Sequence, residues 1–177
     1  AVSFELTQEA GRRFEVATKE NLGKKMAIVL GGVAERIVIS AEAVGIGFRA
    51  LERAIAYARE RTVFDRPIGQ NQAIAHPLAD SYSELVAAEL LWQKAAWTYD
   101  RGEPAGPLAN MAKVRCADAS FRACDRALQT LGGFGYAREY HVERYWREAR
   151  LMRLAPISQE MALNFVAEHV LDLPRSY

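Results

Sequence analysis

Cysteine is scarce in this 177-residue sequence, where Cys116 and Cys124 are the only two. They lie eight positions apart in one helical pattern, about 12 Å along the helix axis, so they cannot form a disulfide with each other. Neither belongs to a metal-binding group of cysteines and histidines. This usage fits a reducing compartment, and we expect the protein to be cytoplasmic.

Long apolar runs are also missing. No run approaches the roughly 20 residues that a membrane-spanning helix needs, and the first residues lack a signal-peptide pattern, so we expect no membrane partner. The formal net charge is +1, which gives no general attraction to nucleic acid. Half of the residues are hydrophobic and a quarter are charged, the balance of a globular domain with a sizeable core.

The first 31 residues differ in pattern from the rest. Apolar and polar residues alternate at the N-terminus, a helical pattern follows over about 8–22, and residues 26–30 form a short apolar run. This order predicts a strand–helix–strand appendage over residues 1–31. A helical domain is predicted over residues 32–177.

From residue 32 onward, apolar residues recur at spacings of three and four. The stripes predict helices over about 34–61, 71–99, 107–131, 140–152 and 158–171. Pro77 predicts that the regular part of the second helix begins there. Long stripes joined by short turns predict a mainly α fold, an antiparallel four-helix bundle. Four aromatic residues of the second helix are expected in the core: Tyr82, Trp92, Trp97 and Tyr99.

A basic cluster ends the first helical pattern. Arg61 and Arg66 flank Phe64 beside a turn. Arginine can hold a diphosphate through a fork of N–H donors that lysine cannot reproduce, and Phe64 offers an aromatic face. The alternative is that Arg61 only complements the negative end of its helix.

A glutamine and a glycine cluster end the third helical pattern: Gln129, then Gly132-Gly133-Phe134-Gly135. Glycines let backbone amides approach a phosphate closely. The same residues could simply end a helix.

Glu35 lies in the first turn of the first long helix. It could act as a general base if an apolar pocket raised its pKa, or it could only complement the helix dipole. His76, His141 and His169 are scattered, and we interpret them as structural or surface residues. The run over 143–150 predicts a solvated face with ion pairs four residues apart.

Five separated segments, in their order along the sequence, resemble the C-terminal helical domain of the acyl-CoA dehydrogenase family. The resemblance runs from about residue 34 to 177 and rests on five segments: 35–39, 59–72, 129–136, 140–144 and 167–171. It implies FAD-dependent oxidation of acyl-CoA thioesters to trans-2-enoyl-CoA. A carboxylate would take the α-proton while hydride passes from the β-carbon to the flavin.

The resemblance also implies residue roles. Arg61 would grip the pyrophosphate of FAD. Five residues would line the cofactor: Val63, Phe64, Ile68, Asn71 and Ile74. Three would meet its adenosine–diphosphate part: Gln129, Gly132 and Gly133. In the family these contacts reach the FAD of a neighbouring subunit, which implies a homo-oligomer, a dimer or a tetramer.

The catalytic base differs between branches of the family. Many members carry it in a Glu-Gly-Thr motif before the last helix, where this sequence has proline within residues 154–158. Another branch places it at the position of Glu35, so Glu35 is the candidate base. Arg36 matches a residue near the CoA end of the substrate. Asp65 replaces the family's usual glycine, and its carboxylate would face a diphosphate unfavourably.

Residues 1–30 instead resemble a fragment of a periplasmic domain of the SecD protein-export subunit, which suggests a chimera or a designed recombinant. The family's N-terminal and middle domains are not in this sequence, so we expect the chain to be incomplete for catalysis alone. Two other functions stay open. One is a non-catalytic, self-associating structural module, and the other is a binding module with weak affinity for FAD or CoA.

Overall fold

The computed structural model describes residues 32–175, and the chain divides between residues 30 and 31. The described part contains five α-helices: α1 (Val33–Glu60), α2 (Gln72–Asp100), α3 (Gly106–Leu131), α4 (Val142–Met152) and α5 (Gln159–His169). A two-stranded sheet, β1 (Thr62–Val63) and β2 (Arg66–Pro67), lies between α1 and α2. The predicted mainly α fold is confirmed. The appendage predicted for residues 1–31 lies outside the described residues.

The three long helices run up, down and up. Each level of the bundle takes one residue from each helix: Ile37, Ala95 and Ala109 at one level, and Gly47, Leu85 and Ser120 at another. Residue numbers rise together in α1 and α3 and fall in α2. The helix α2 is therefore antiparallel to both neighbours, as the short turns predict.

The helix α3 is the central element, because it contacts all four other helices. Its buried side chains are mostly small, and six of them are alanines: Ala109, Ala112, Ala117, Ala119, Ala123 and Ala127. Small side chains let α1 and α2 approach α3 closely from two sides. The shorter α4 packs against α1 and α3, and α5 packs against α3.

The second helix starts where it is predicted, near residue 71, but its regular part does not begin at Pro77. The helix α2 begins at Gln72, and Pro77 lies inside it. The carbonyl of Asn71 accepts hydrogen bonds from the N–H groups of Ile74 and Ala75, so the first turn forms upstream of the proline. Pro77 is the sixth residue of α2, so the carbonyl of Ala73 lacks the N–H donor that a residue other than proline would supply.

The prediction that the aromatic residues of α2 are buried holds only for Trp92, which packs partly buried against the core. Tyr82, Trp97 and Tyr99 are each about half exposed. The reason is that α2 packs on its neighbours through one narrow face of small and aliphatic residues. The ring of Trp97 is instead covered by the cations of Lys94 and Arg101, at 3.9 and 4.8 Å from its centroid.

Two other predictions, on the cysteines and on the run over 143–150, agree with the structure. Cys116 and Cys124 are free and buried, and burial raises the pKa of each thiol to about 12. Glu143 and Arg147 pair across one turn of α4. Within residues 32–175, no helix is long and apolar enough to cross a membrane.

Candidate cofactor site

The basic turn after α1, residues 61–68, is closed by backbone hydrogen bonds. Arg61 ends the helix by donating its N–H to the carbonyl of Tyr57 at 2.8 Å. Its own carbonyl accepts the N–H of Ile68 at 2.9 Å. Between these bonds β1 and β2 pair in antiparallel fashion, Thr62 opposite Pro67. The chain from 61 to 68 is therefore a small hairpin.

The tip of this hairpin is the two-residue turn Phe64-Asp65. Both residues have positive φ angles, 53° and 61°. Two-residue hairpin turns of type I′ require this conformation, which glycine adopts most easily and aspartate tolerates better than most residues. The family's usual glycine at position 65 thus has a conformational reason. The turn holds the Phe64 ring in solvent, 93% exposed.

Asn71 fastens the hairpin to the start of α2. Its side-chain N–H donates to the carbonyl of Ile68 at 3.0 Å, and its side-chain oxygen accepts from Arg66 at 3.1 Å. Ile68 and Ile74 pack partly buried against the main core. Arg66 is thus engaged locally, whereas the exposed guanidinium of Arg61 has no hydrogen bond or ion pair within residues 32–175.

The segment Gly132-Gly133-Phe134-Gly135 after α3 is called the glycine corner here. Its three glycines have different conformational constraints. Gly132 has a φ of 60° and a ψ of −134°, which only glycine adopts readily. Gly135 lies so close to Leu128 that a Cβ atom would come within 2.5 Å of its carbonyl oxygen. Gly133 is exposed, and a Cβ atom there would meet no other group within 4 Å. The backbone of Gly133 is therefore open to an approaching ligand, and Gln129 is exposed beside it.

An aromatic triad joins the basic turn and the glycine corner. The ring of Tyr57, in the last turn of α1, lies 6.3 Å from that of Phe134 and 6.2 Å from that of Tyr140, between ring centroids. Phe134 and Tyr140 are 5.2 Å apart. The two predicted contact segments for FAD therefore meet at one end of the bundle.

Glu35 and Arg36 lie at the opposite end of α1. The Oε2 atom of Glu35 accepts the N–H of Gly32 at 2.9 Å, so the carboxylate caps its own helix. The helix has 28 residues and is about 42 Å long. The structure does not bring Glu35 and Arg61 together within one chain.

Arg36 is half-buried, and its Nε atom is buried without a hydrogen-bond partner among residues 32–175. Residues 154–158, where many family members carry the base, connect α4 to α5. Ser158 caps α5 by accepting the N–H of Met161 at 3.3 Å. This connection contains no carboxylate, so Glu35 is still the candidate base.

Sequence reasoning missed a buried lysine. Lys113 of α3 is 1% exposed, and its Nζ atom has no hydrogen-bond partner in the described part of the chain. Burial lowers its pKa from 10.5 to about 8. Nearby, Asp118 accepts from Arg153 at 3.1 Å and from Gln159 at 2.8 Å. Lysine is rarely fully buried, so the sequence held no signal for this position.

No group of three or more histidine, cysteine or acidic side chains could hold a metal ion in residues 32–175. The candidate site offers instead one free guanidinium, open glycine backbone and an exposed aromatic ring. These groups suit an anionic, ring-containing ligand such as a dinucleotide.

Comparison with known proteins agrees with this geometry. The family model described as "Acyl-CoA dehydrogenase, C-terminal domain" matches residues 32–171. The chain belongs to the acyl-CoA dehydrogenase family. It is 52% identical over 145 residues to acyl-CoA dehydrogenase FadE12 of Mycobacterium tuberculosis, covering 81% of this chain and 37% of the relative. The chain thus spans about a third of the length of the curated relatives it matches.

Solved structures share the fold, an acyl-CoA dehydrogenase among them. Butyryl-CoA dehydrogenase from Megasphaera elsdenii superposes with a TM-score of 0.77 at 33% identity, over 78% of this chain and 36% of that chain. An FAD complex of PigA superposes with a TM-score of 0.71 at 26% identity, over 74% and 34%. Members of this family are FAD-dependent flavoproteins. The resemblance of residues 1–30 to a SecD fragment stays a prediction.

Proposed function

We propose that this chain acts as the C-terminal helical domain of an FAD-dependent acyl-CoA dehydrogenase, and that its basic turn and glycine corner hold the diphosphate of FAD. The observation that carries the proposal is the aromatic triad. It brings Arg61 and Gly133 to the same end of the bundle, although they are far apart in sequence.

The residues at this end fit the dinucleotide. The guanidinium of Arg61 has two parallel N–H donors to offer to a phosphate, and it has no competing partner in the described fold. The open backbone at Gly133 accommodates a closely approaching phosphate, and the Phe64 ring offers a flat apolar face. Asp65 is an opposing charge at the hairpin tip. When bound, FAD supplies the acceptor for the substrate's hydride.

The length of α1 determines how the chain would assemble. Glu35 and Arg61 lie at opposite ends of a helix of about 42 Å, which is longer than an extended FAD molecule. One chain therefore cannot offer both residues to the same cofactor. A working site would take its base from one copy and its diphosphate grip from another, which requires a homo-oligomer.

Glu35 would act as the general base that takes the α-proton of an acyl-CoA thioester. Its Oε2 atom now accepts the N–H of Gly32, so the carboxylate is already oriented at the helix start. Proton abstraction would use a carboxylate oxygen that faces the substrate. Arg36, beside it, would serve the CoA end of the substrate. Catalysis requires reacting atoms within about 3–3.5 Å of each other, and this domain alone does not enclose such a site.

A non-catalytic, self-associating module is the second candidate. Several large apolar side chains are more than 60% exposed, among them Val38, Leu90 and Leu171. Exposed apolar surface favours association with another protein surface. This alternative predicts a folded oligomer that takes up no flavin.

Titration of FAD into Arg61→Ala tests the proposed grip. We expect the substitution to weaken FAD binding by about tenfold or more, because a charge-assisted bidentate contact is lost. Arg59→Ala is the matched control. Arg59 is equally exposed one half-turn earlier, and it lines a different groove together with Leu78 and Tyr82. Equal FAD affinity of both variants and the wild type, with unchanged helical circular dichroism, would remove the assignment.

The base is tested by Glu35→Gln in any preparation of the protein that turns over acyl-CoA with an electron acceptor. Glutamine keeps the hydrogen bond from Gly32 but cannot take a proton. We expect the turnover rate to fall by about 10²–10⁴-fold while FAD affinity is unchanged. A rate close to that of the wild type would refute the role of Glu35.

A further inference from the structure

A cleft adjoins the glycine corner, and none of the cofactor or substrate residues assigned above lines it. It encloses about 260 Å³ between the end of α3 and α4. Six residues line this corner cleft: Leu128, Tyr136, Arg138, Glu143, Trp146 and Arg147. Leu128 also contacts Gly135, so the cleft is continuous with the glycine corner.

The charges of the corner cleft favour an anion. Arg147 is paired with Glu143, and together they are neutral. The Arg138 side chain is exposed and has no hydrogen bond or ion pair with any residue that the structure describes. The lining therefore carries one uncompensated guanidinium, which can bind a phosphate through two parallel N–H groups.

The rings of the corner cleft offer stacking surfaces. The indole N–H of Trp146 donates to Asp125 at 2.9 Å, and its ring packs 5.6 Å from that of Phe121, so the indole is held in place. Tyr136, which also lines the cleft, is 80% exposed. A held indole and an exposed phenol ring together suit a planar heterocycle, because aromatic side chains stack with nucleobases.

We propose that the corner cleft binds an adenosine phosphate, with Arg138 on a phosphate and Trp146 and Tyr136 against the purine. The volume allows a base and a phosphate, not a whole dinucleotide. This ligand chemistry has two sources if the proposed function holds, since both FAD and acyl-CoA contain an adenosine diphosphate. The physiological meaning of the cleft thus rests on the proposed function, whereas its affinity for ADP does not.

The experiment titrates ADP into the full chain at low ionic strength, followed by calorimetry and by tryptophan fluorescence. We expect saturable binding that Arg138→Ala and Tyr136→Ala each weaken by about tenfold. The matched control is Arg115→Ala. Arg115 is also exposed, and it lines a cleft of about 280 Å³ that contains no aromatic ring. The control should bind ADP like the wild type.

Competition between ADP and either FAD or CoA then identifies which of the two molecules supplies the adenosine phosphate. Displacement of ADP by FAD assigns the cleft to the cofactor, and displacement by CoA but not by FAD assigns it to the substrate. Absence of saturable ADP binding, equal ADP affinity in Arg138→Ala, or failure of both competitors would overturn the inference.

The two proposals fail separately. If FAD binds through Arg61 while ADP does not bind, the inference is wrong and the proposed function stands. If ADP binds through Arg138 while FAD is not taken up, the proposed cofactor site is wrong and the cleft stands.

Discussion

Arg61 and Lys113 are cations without a partner in different regions of the described fold, and they differ in burial. At the hairpin after α1, Arg61 is exposed. At the junction of α3 and α5, Lys113 is 1% exposed, with its Nζ atom fully enclosed. The two unpaired cations therefore differ in their solvation and in whether a ligand can reach them.

The exposed cation costs the fold little, because water solvates its guanidinium. It is free to bind an anion that arrives from outside. The buried cation is desolvated, which disfavours its charged form, and no ligand can reach it without rearrangement. Unpaired charge indicates a binding function only where it is accessible.

The largest expected effect in this comparison comes from Lys113→Met. Methionine fills a similar volume without a charge to desolvate, so we expect the free energy of unfolding at pH 7 to rise by about 1–3 kcal/mol. Chemical denaturation measures the change. Lys94→Met is the control, since Lys94 is exposed over the Trp97 ring and its loss should cost less than about 1 kcal/mol. Destabilisation by Lys113→Met would show that the lysine has a partner in solution.

The pH dependence sharpens this prediction. The pKa of Lys113 is about 8 in the fold, against 10.5 when unfolded. The unfolded chain therefore binds more protons between these values, so the stability of the wild type rises with pH across that window. The charges of Glu160 and Asp118 act against this lowering of the Lys113 pKa, and that of Arg153 adds to it. We expect the advantage of Lys113→Met to shrink by about 3 kcal/mol from pH 8 to pH 10.5, and a constant advantage would contradict the buried charge.

A smaller effect is expected at the exposed end. Asp65→Gly removes a carboxylate from the tip of the hairpin and relaxes its left-handed backbone. We expect FAD affinity to rise about threefold at low salt and stability to change by less than about 1 kcal/mol, since glycine also costs unfolded-state entropy. FAD titration and denaturation measure both.

Asp65→Asn separates the two causes. Asparagine removes the charge but keeps a side chain that tolerates a positive φ. If both variants gain FAD affinity, the cause is electrostatic repulsion between the Asp65 carboxylate and the diphosphate. Affinity gained only with glycine would show that the backbone, not the carboxylate, limits FAD binding.

Much of the fold could be predicted from the sequence. The bounds of α1 and α3 follow from apolar stripes that end in a basic cluster and in Gly132. The hairpin after α1 could not be predicted, because two-residue strands have no alternation and Phe64-Asp65 lacks a turn signature. The exposure of Trp97 could not be predicted either, since it depends on which face of α2 has neighbours.

The candidate site, unlike the helices, was not predicted from local sequence patterns. Its residue types came from a family resemblance, and spacing alone left Arg61 and Gly133 with simpler structural explanations. Their proximity depends on α1 and α3 running in the same direction, so that Tyr57 meets Phe134. Such a tertiary contact cannot be read from local patterns. The burial of Lys113 contradicts the usual preference of lysine for the surface, so only the structure reveals it.

The most direct measurement compares Arg61→Ala and Lys113→Met in parallel, for FAD affinity and for thermal stability. We predict that Arg61→Ala loses FAD affinity at an unchanged melting temperature, whereas Lys113→Met gains stability at an unchanged FAD affinity. If wild-type protein takes up no FAD, or if Arg61→Ala binds it as tightly as the wild type, the exposed unpaired arginine is not a diphosphate site and the account is contradicted.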